Sequence, residues 1–253
     1  MTSVVSRFGL VEADQETRDS IRLLSEVADL PAPSRYHYAL SPVWGELDLR
    51  PSRSAACLRR FVDERVRRYP DLAGYRKQLL TFLRAVVNDG VRAKLSRLAV
   101  LAEAVGPGAV LAASFSFGVG AGVTLEGGAE TNDPEAVRQY LAAVAAEGDD
   151  RQDPAPDLDV AFVTLSQQYA VRTAGIRTLR DRRTGHAAES YQVQYSIPVP
   201  GSTHLAVMTF STQCGWAADE LTVLFDVTAQ TFYWTWERGG GVSGVSRWCR
   251  ECR

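Results

Sequence analysis

The sequence predicts an α+β fold, and three observations carry that reading. Apolar residues recur at helical spacing in the first third, with Leu58, Phe61, Val62, Val66 and Tyr69 on one face. Residues 160–212 divide into segments rich in β-branched and aromatic side chains, bounded by Gly, Pro and Ser. Within them Tyr191-Gln-Val-Gln-Tyr195-Ser-Ile197 alternates apolar and polar almost without a break, as a strand does when only one face is buried.

Taken in order, Gln15–Leu30 has the spacing of a short amphipathic helix, stopped by Pro31-Ala-Pro33 and followed by the aromatic cluster Tyr36-His37-Tyr38. Trp44–Leu49 reads as a short strand. Pro51 opens a helix for which Ser52 or Ser54 is the expected N-cap, and Pro70-Asp71 breaks it. A second helix is expected from about Leu72 to Asp89, with Tyr75, Leu79, Leu83, Val86 and Val87 inward and Gly90 as its left-handed terminator. Val105-Gly-Pro-Gly108 reads as the turn of a hairpin ending in Ala109–Phe117. Asp133-Pro134-Glu135 is a strong helix start, with Asp as cap and Pro in the first turn, and Val137, Tyr140, Leu141 and Val144 form the expected buried face. Strands are then expected at 160–165, 169–179, 189–197 and 205–212, and a last helix from Asp219 to Trp234. This gives an N-terminal arm (1–41), one α+β domain (42–236) and a Gly-rich tail (237–253).

Composition excludes more than it selects. The chain of 253 residues, 45% hydrophobic and 23% charged, can bury a substantial core, and a net charge of -2 exerts no global pull on nucleic acid or an anionic membrane. Lysine occurs only at 77 and 94, so any arginine cluster is read against a chain that uses arginine almost throughout. The N-terminus lacks a signal-peptide apolar core, and no apolar run approaches the ~18 residues of a membrane helix. Four cysteines at 57, 214, 249 and 252 do not form a secreted disulfide framework. The expectation is a cytoplasmic protein with no membrane insertion.

The segment Gln194-Tyr195-Ser-Ile197-Pro198-Val-Pro200-Gly201-Ser202, then His204-Leu-Ala-Val-Met-Thr-Phe210-Ser211-Thr212, then Leu224-Phe225-Asp226 and Trp234, resembles the C-terminal half of a Mog1/PsbP-like domain. Within that group it is most similar to the LpqN-like proteins abundant in actinobacteria. The strand at Trp44, the Pro51 helix with Phe61-Val62-Asp63 and the helix before the hairpin extend the resemblance over roughly 42–236. The resemblance implies an antiparallel sheet of about six strands with helices on both faces, and a non-catalytic protein-binding or assembly role. This chain departs from that type in having no lipobox cysteine, an added arm and a Cys-bearing tail.

Motifs that would carry chemistry are sparse. Gly118-Val-Gly120-Ala-Gly122 lacks the third glycine of a dinucleotide loop and leads into a strand, so a permissive turn is the expectation. His37, His186 and His204 stand at no metal-ligand spacing. Cys249 and Cys252 form a C-x-x-C that can supply half a zinc site, an intermolecular disulfide or a redox pair, with Cys57 and Cys214 as the remaining thiols, but without a second C-x-x-C the expectation is an exposed tail. Arg172, Arg177, Arg180, Arg182 and Arg183, opposed only by Asp181, form a one-sided basic hairpin suited to a phosphate backbone or an acidic protein surface, unless the acidic residues at 149–159 neutralise it. The expected function is therefore a non-catalytic binding or assembly module that uses sheet edges, the arm and this hairpin. Its partner is another protein, with self-association open, nucleic acid not expected and no cofactor required. Contact candidates are the five arginines and Trp248. A small-ligand binder or enzyme, and a weak nucleic-acid binder, are the alternatives.

Overall fold

The computed structural model describes residues 31–106, 109–125, 128–147, 158–166, 168–180 and 187–236. The expected helix at 15–30 and the tail from 237 lie outside the described residues. The scaffold is one seven-stranded, wholly antiparallel sheet with α-helices on both faces. In spatial order its strands are β2 (Gly45–Glu46), β3 (Arg97–Gly106), β4 (Ala109–Ala121), β10 (His204–Thr212), β9 (Ala187–Pro198), β8 (Tyr169–Arg180) and β7 (Leu158–Thr164). Two small ribbons complete it, β1 (Arg35–His37) with β11 (Tyr233–Thr235), and β5 (Val123–Thr124) with β6 (Glu130–Thr131).

The alternation read in 191–197 decides which side chains meet. Val193, Tyr195 and Ile197 of β9 share one face with Ala206, Met208 and Phe210 of β10 and with Phe115 and Phe117 of β4. Helix α4 (Ala218–Gln230) closes this face through Leu221, Phe225 and Ala229. Phe210 and Phe225 stack with centroids 4.5 Å apart, and Trp44 packs beside them. On the opposite face Leu98 and Val100 of β3 meet Leu58 and Val62 of α1 (Pro51–Arg68) and Leu80, Leu83 and Val87 of α2 (Arg76–Arg92). Further along that face α3 (Pro134–Glu147) sets Val137 against Val171 of β8 and Leu205 of β10. Between these two apolar clusters Ser114, Ser116, Thr209, Ser211, Gln192 and Gln194 form a polar stretch of sheet that belongs to neither.

Several local expectations are corrected. Pro51 itself begins α1, and the N–H groups of Arg53 and Ser54 bond to Arg50 O, so Ser52 and Ser54 lie within the first turn and neither caps it. The second helix, expected from about Leu72, begins only at Arg76, because Pro70–Tyr75 winds as a 3₁₀ turn, which leaves Tyr75 60% exposed instead of inward. Gly90 does not end α2. It sits buried in the last turn, where a Cβ would only touch Leu49, Leu95 and Leu98 at 3.4–3.6 Å. The terminator is Lys94, at φ 55: the N–H of Leu95 bonds to Gly90 O and that of Lys94 to Val91 O, the paired bonds of a Schellman ending.

The start of α3 is as expected, with Asp133 Oδ1 accepting the Ala136 N–H at 3.0 Å, but of its expected inner face Tyr140 and Val144 stay exposed. The last helix stops at Gln230, four residues short of expectation, because Tyr233–Thr235 pairs with Arg35–His37. That pairing seats Tyr36 and Tyr38 on Phe117 and Phe115. Gly118 and Gly120 lie inside β4 and not in a turn. Gly122 is where glycine is required, since a Cβ there would fall 2.0 Å from Thr131 O. No helix among the described residues is long and apolar enough to cross a membrane.

Candidate functional site

The two edges of the sheet are finished differently. At the β2 side the outer edge of β3 is occupied by backbone and by arginine. Leu47 N–H bonds to Leu98 O, and Arg65 Nη1 donates to Ala102 O at 3.0 Å while its Nη2 reaches Val43 O at 3.2 Å. Glu103 holds that arginine in an ion pair and also receives Arg68 at 3.1 Å and the Tyr69 hydroxyl. Burial alone pushes the Glu103 carboxyl up, but the hydrogen bonds from Tyr69 and Arg65 outweigh it and hold the group below its ordinary value.

At the other end stands β7, Leu-Asp-Val-Ala-Phe-Val-Thr, seven residues paired to β8 on one side and to nothing on the other among the described residues. It forms because β-branched and aromatic residues at 160, 162 and 163 suit a half-buried pleat. Val160 turns to the α3 face and Val163 to the α4 face, each into an apolar cluster. Edge strands are usually guarded by Lys, Pro or a bulge. Here the register with β8 is unbroken from 158 to 164, and the only charge is Asp159. Phe162 is 41% exposed, with the Arg138 guanidinium of α3 over its ring at 5.7 Å. Arg138 is itself held by Glu135 through two hydrogen bonds of 2.5 and 3.0 Å.

The predicted contact residues distribute around this edge unevenly. Arg172 pairs directly across from Ala161 of β7, yet its charge is already engaged. Its Nε donates to Asp226 Oδ1 at 3.1 Å, Asp159 lies 3.9 Å from Nη1, and the side chain is only 14% exposed. The Tyr195 hydroxyl donates to the same Asp226 oxygen. Burial, then that carboxylate, push the Tyr195 pKa above its ordinary value. Burial alone lowers Arg172, but Tyr195 and Asp226 outweigh it and hold the arginine above its usual range. This cluster lines a hollow of about 290 Å³ beside β7 and α4.

Arg177 lies on the opposite sheet face from Arg172, an odd number of residues along the strand, and burial lowers its pKa. Arg180 closes β8 opposite Ala187. Alternation along β8 thus places Arg172 and Arg177 on opposite faces of the sheet. Arg182, Arg183, Trp248, Cys249 and Cys252 lie outside the described residues. Cys57 Sγ contacts Glu46 O at 3.6 Å, and Cys214 Sγ sits between Val110 O and the Ala112 N–H, so both thiols face backbone. Among the described residues no three His, Cys, Asp or Glu side chains gather as metal ligands. A second hollow of about 310 Å³, under Tyr140 and Leu141 and floored by Gln194 and Ser196, has no charged residue in its lining.

No protein-family model matches this chain, and no curated protein does. Among solved structures it is similar to the crystal structure of LpqN involved in cell envelope biogenesis of Mycobacterium tuberculosis. The identity is 12% and the TM-score 0.40, over 82% of this chain and 87% of that one. The likeness is distant, and neither the candidate site nor the function rests on it.

Sequence reasoning had read 160–165 as a strand without seeing that it ends the sheet. It missed Phe162 and Arg138 as a surface pair, because nothing local marks two residues so far apart as neighbours. The signal available was negative in kind, a strand of this apolar content with neither Lys nor Pro to guard it.

Proposed function

We propose that this protein is a non-catalytic binding or assembly module whose docking element is the outer edge of β7, which receives an extended strand from a protein partner. The observation that carries the reading is the contrast between the two edges: Arg65 and Leu47 occupy the β3 edge, while β7, among the described residues, offers an unguarded apolar one. Strand addition draws affinity from main-chain hydrogen bonds and specificity from alternate side chains. On β7 the alternate side chains are Val160 and Phe162 toward α3, and Asp159, Ala161 and Val163 toward α4. The Arg172–Asp226–Tyr195 cluster stiffens the sheet immediately behind the edge, so the docking strand is presented by a rigid support.

A photo-cross-linking side chain placed at Asp159 or Thr164, both exposed on β7, tests this in the native cell, with exposed Val223 of α4 as the control position. The reading expects protein adducts from the two β7 positions and none from Val223. Adducts from Val223 with none from β7 would contradict it.

A further inference from the structure

We infer that the strand received by β7 is β7 of a second copy of this chain, so that two sheets join edge to edge about a two-fold axis through Ala161. This rests on the reading of β7 as a docking edge and names its occupant.

The β7 edge is complementary to itself. Two antiparallel edge strands related by a two-fold axis perpendicular to the sheet keep each face on its own side, so a residue can only pair with one of like orientation. With the axis at Ala161 all seven residues of β7 find partners; an axis at Val160 or Phe162 leaves an end of each strand unpaired. In that register Val160 of each copy lies opposite Phe162 of the other, twice, and β-branched with aromatic is a favourable cross-strand combination. The half-exposed Phe162 ring, already covered above by Arg138, is then closed from the side. On the α4 face Asp159 lands opposite Val163. The two Asp159 carboxylates fall about 13 Å apart along the strand, whereas an axis nearer the start of β7 would bring them together. The neighbouring helix flanks meet without net charge, because each Arg138 keeps its own Glu135. Such an interface is isologous and closed, which removes the exposed edge without leaving another open.

The test is the mass in solution of the full chain by light scattering over a range of concentrations, together with two kinds of variant. The wild-type chain is expected at twice 27.7 kDa, and Phe162→Lys, which sets a charge against Val160 and places lysine on the edge, at one. In a background with Cys249→Ser and Cys252→Ser, Ala161→Cys is expected to form a disulfide across the axis under mild oxidation, since the two residues face each other there. Val163→Cys is expected to form none, because its twin lies about 13 Å away along the strand. A wild-type chain that keeps a single-copy mass at every concentration overturns the inference. So does a dimer that survives Phe162→Lys while Ala161→Cys fails to cross-link. Either result leaves strand addition to be judged separately by the photo-cross-links, where adducts to a different protein from β7 would uphold the edge and reject the second copy.

Discussion

Arg138 lies 5.7 Å above the ring of Phe162, tying α3 to the last strand of the sheet at the point where that strand meets solvent. The contact stabilises little, because the ring is partly exposed and a surface cation–π contact is worth about 0.5–1 kcal/mol. At concentrations low enough for both proteins to be single copies, Phe162→Lys is therefore expected to lower the unfolding free energy by no more than about 1 kcal/mol. Phe210→Ala, in the buried stack with Phe225, should cost about 3–5 kcal/mol. Urea denaturation of the two variants separates an edge residue from a core residue. Equal losses would mean that Phe162 acts in folding and not on the surface.

Glu103 gives the β2 side of the sheet an acid-sensitive fastening. Its folded pKa lies below its unfolded value, so the stability it contributes is present above the unfolded carboxylate pKa of about 4.3 and is lost as pH falls through the folded one. Glu103→Gln should destabilise the protein at neutral pH, and the difference from wild type should shrink steadily as the solution is acidified. Thermal melts at a series of pH values check this; a gap that does not narrow would show that the carboxylate charge is not what matters.

Tyr195 has the opposite sign. Burial, with Asp226 next to it, raises its folded pKa above the ordinary value of about 10. The contribution is complete below that value and is lost as pH rises through the folded pKa, since only the unfolded chain ionises easily in that window. An ultraviolet titration should show tyrosines that ionise late, one of them missing in Tyr195→Phe. Removing the shared carboxylate by Asp226→Ala leaves the largely buried Arg172 with Tyr195 and, at 3.9 Å, Asp159, and should cost about 2 kcal/mol by denaturation.

The end of α2 makes a prediction that the sequence alone would have reversed. Lys94 occupies a left-handed conformation that costs a side chain roughly 1 kcal/mol, so Lys94→Gly is expected to stabilise the fold by about that amount. Gly90→Ala, in helical conformation with room for a methyl group, is expected to be tolerated or mildly stabilising. Denaturation midpoints moving the other way would restore Gly90 as the terminator.

That reversal illustrates what was legible in the sequence. Period identified α1 and four long strands, because the expected inner residues such as Leu58 and Val193 are buried, and capping identified the start of α3, where exposed Asp133 accepts the Ala136 N–H. Gly90 misled because a glycine near a helix end has the same local signature whether it terminates the helix or lets it pack against Leu49 and Leu98. Trp234 was assigned to a helix because its partner strand, Arg35–His37, is about two hundred residues away in the chain. The candidate site was the least legible part. A strand's pairing on both sides or one is decided by spatial order, and Val160–Val163 at the edge reads no differently from Val193–Ile197 in the middle. Arg172 was found by its charge, but its partner Asp226 comes from α4, which only the folded chain brings beside it.

The pairing of the outer β7 edge with its twin in a second copy is measured most directly by amide hydrogen exchange over residues 158–164. In the assembled protein these amides are expected to exchange slowly, and in Phe162→Lys alternate ones along the strand should become fast while the amides of β9 stay protected. Exchange over 158–164 that is equally fast in both proteins would contradict that pairing, since it would mean that no second copy covers the edge.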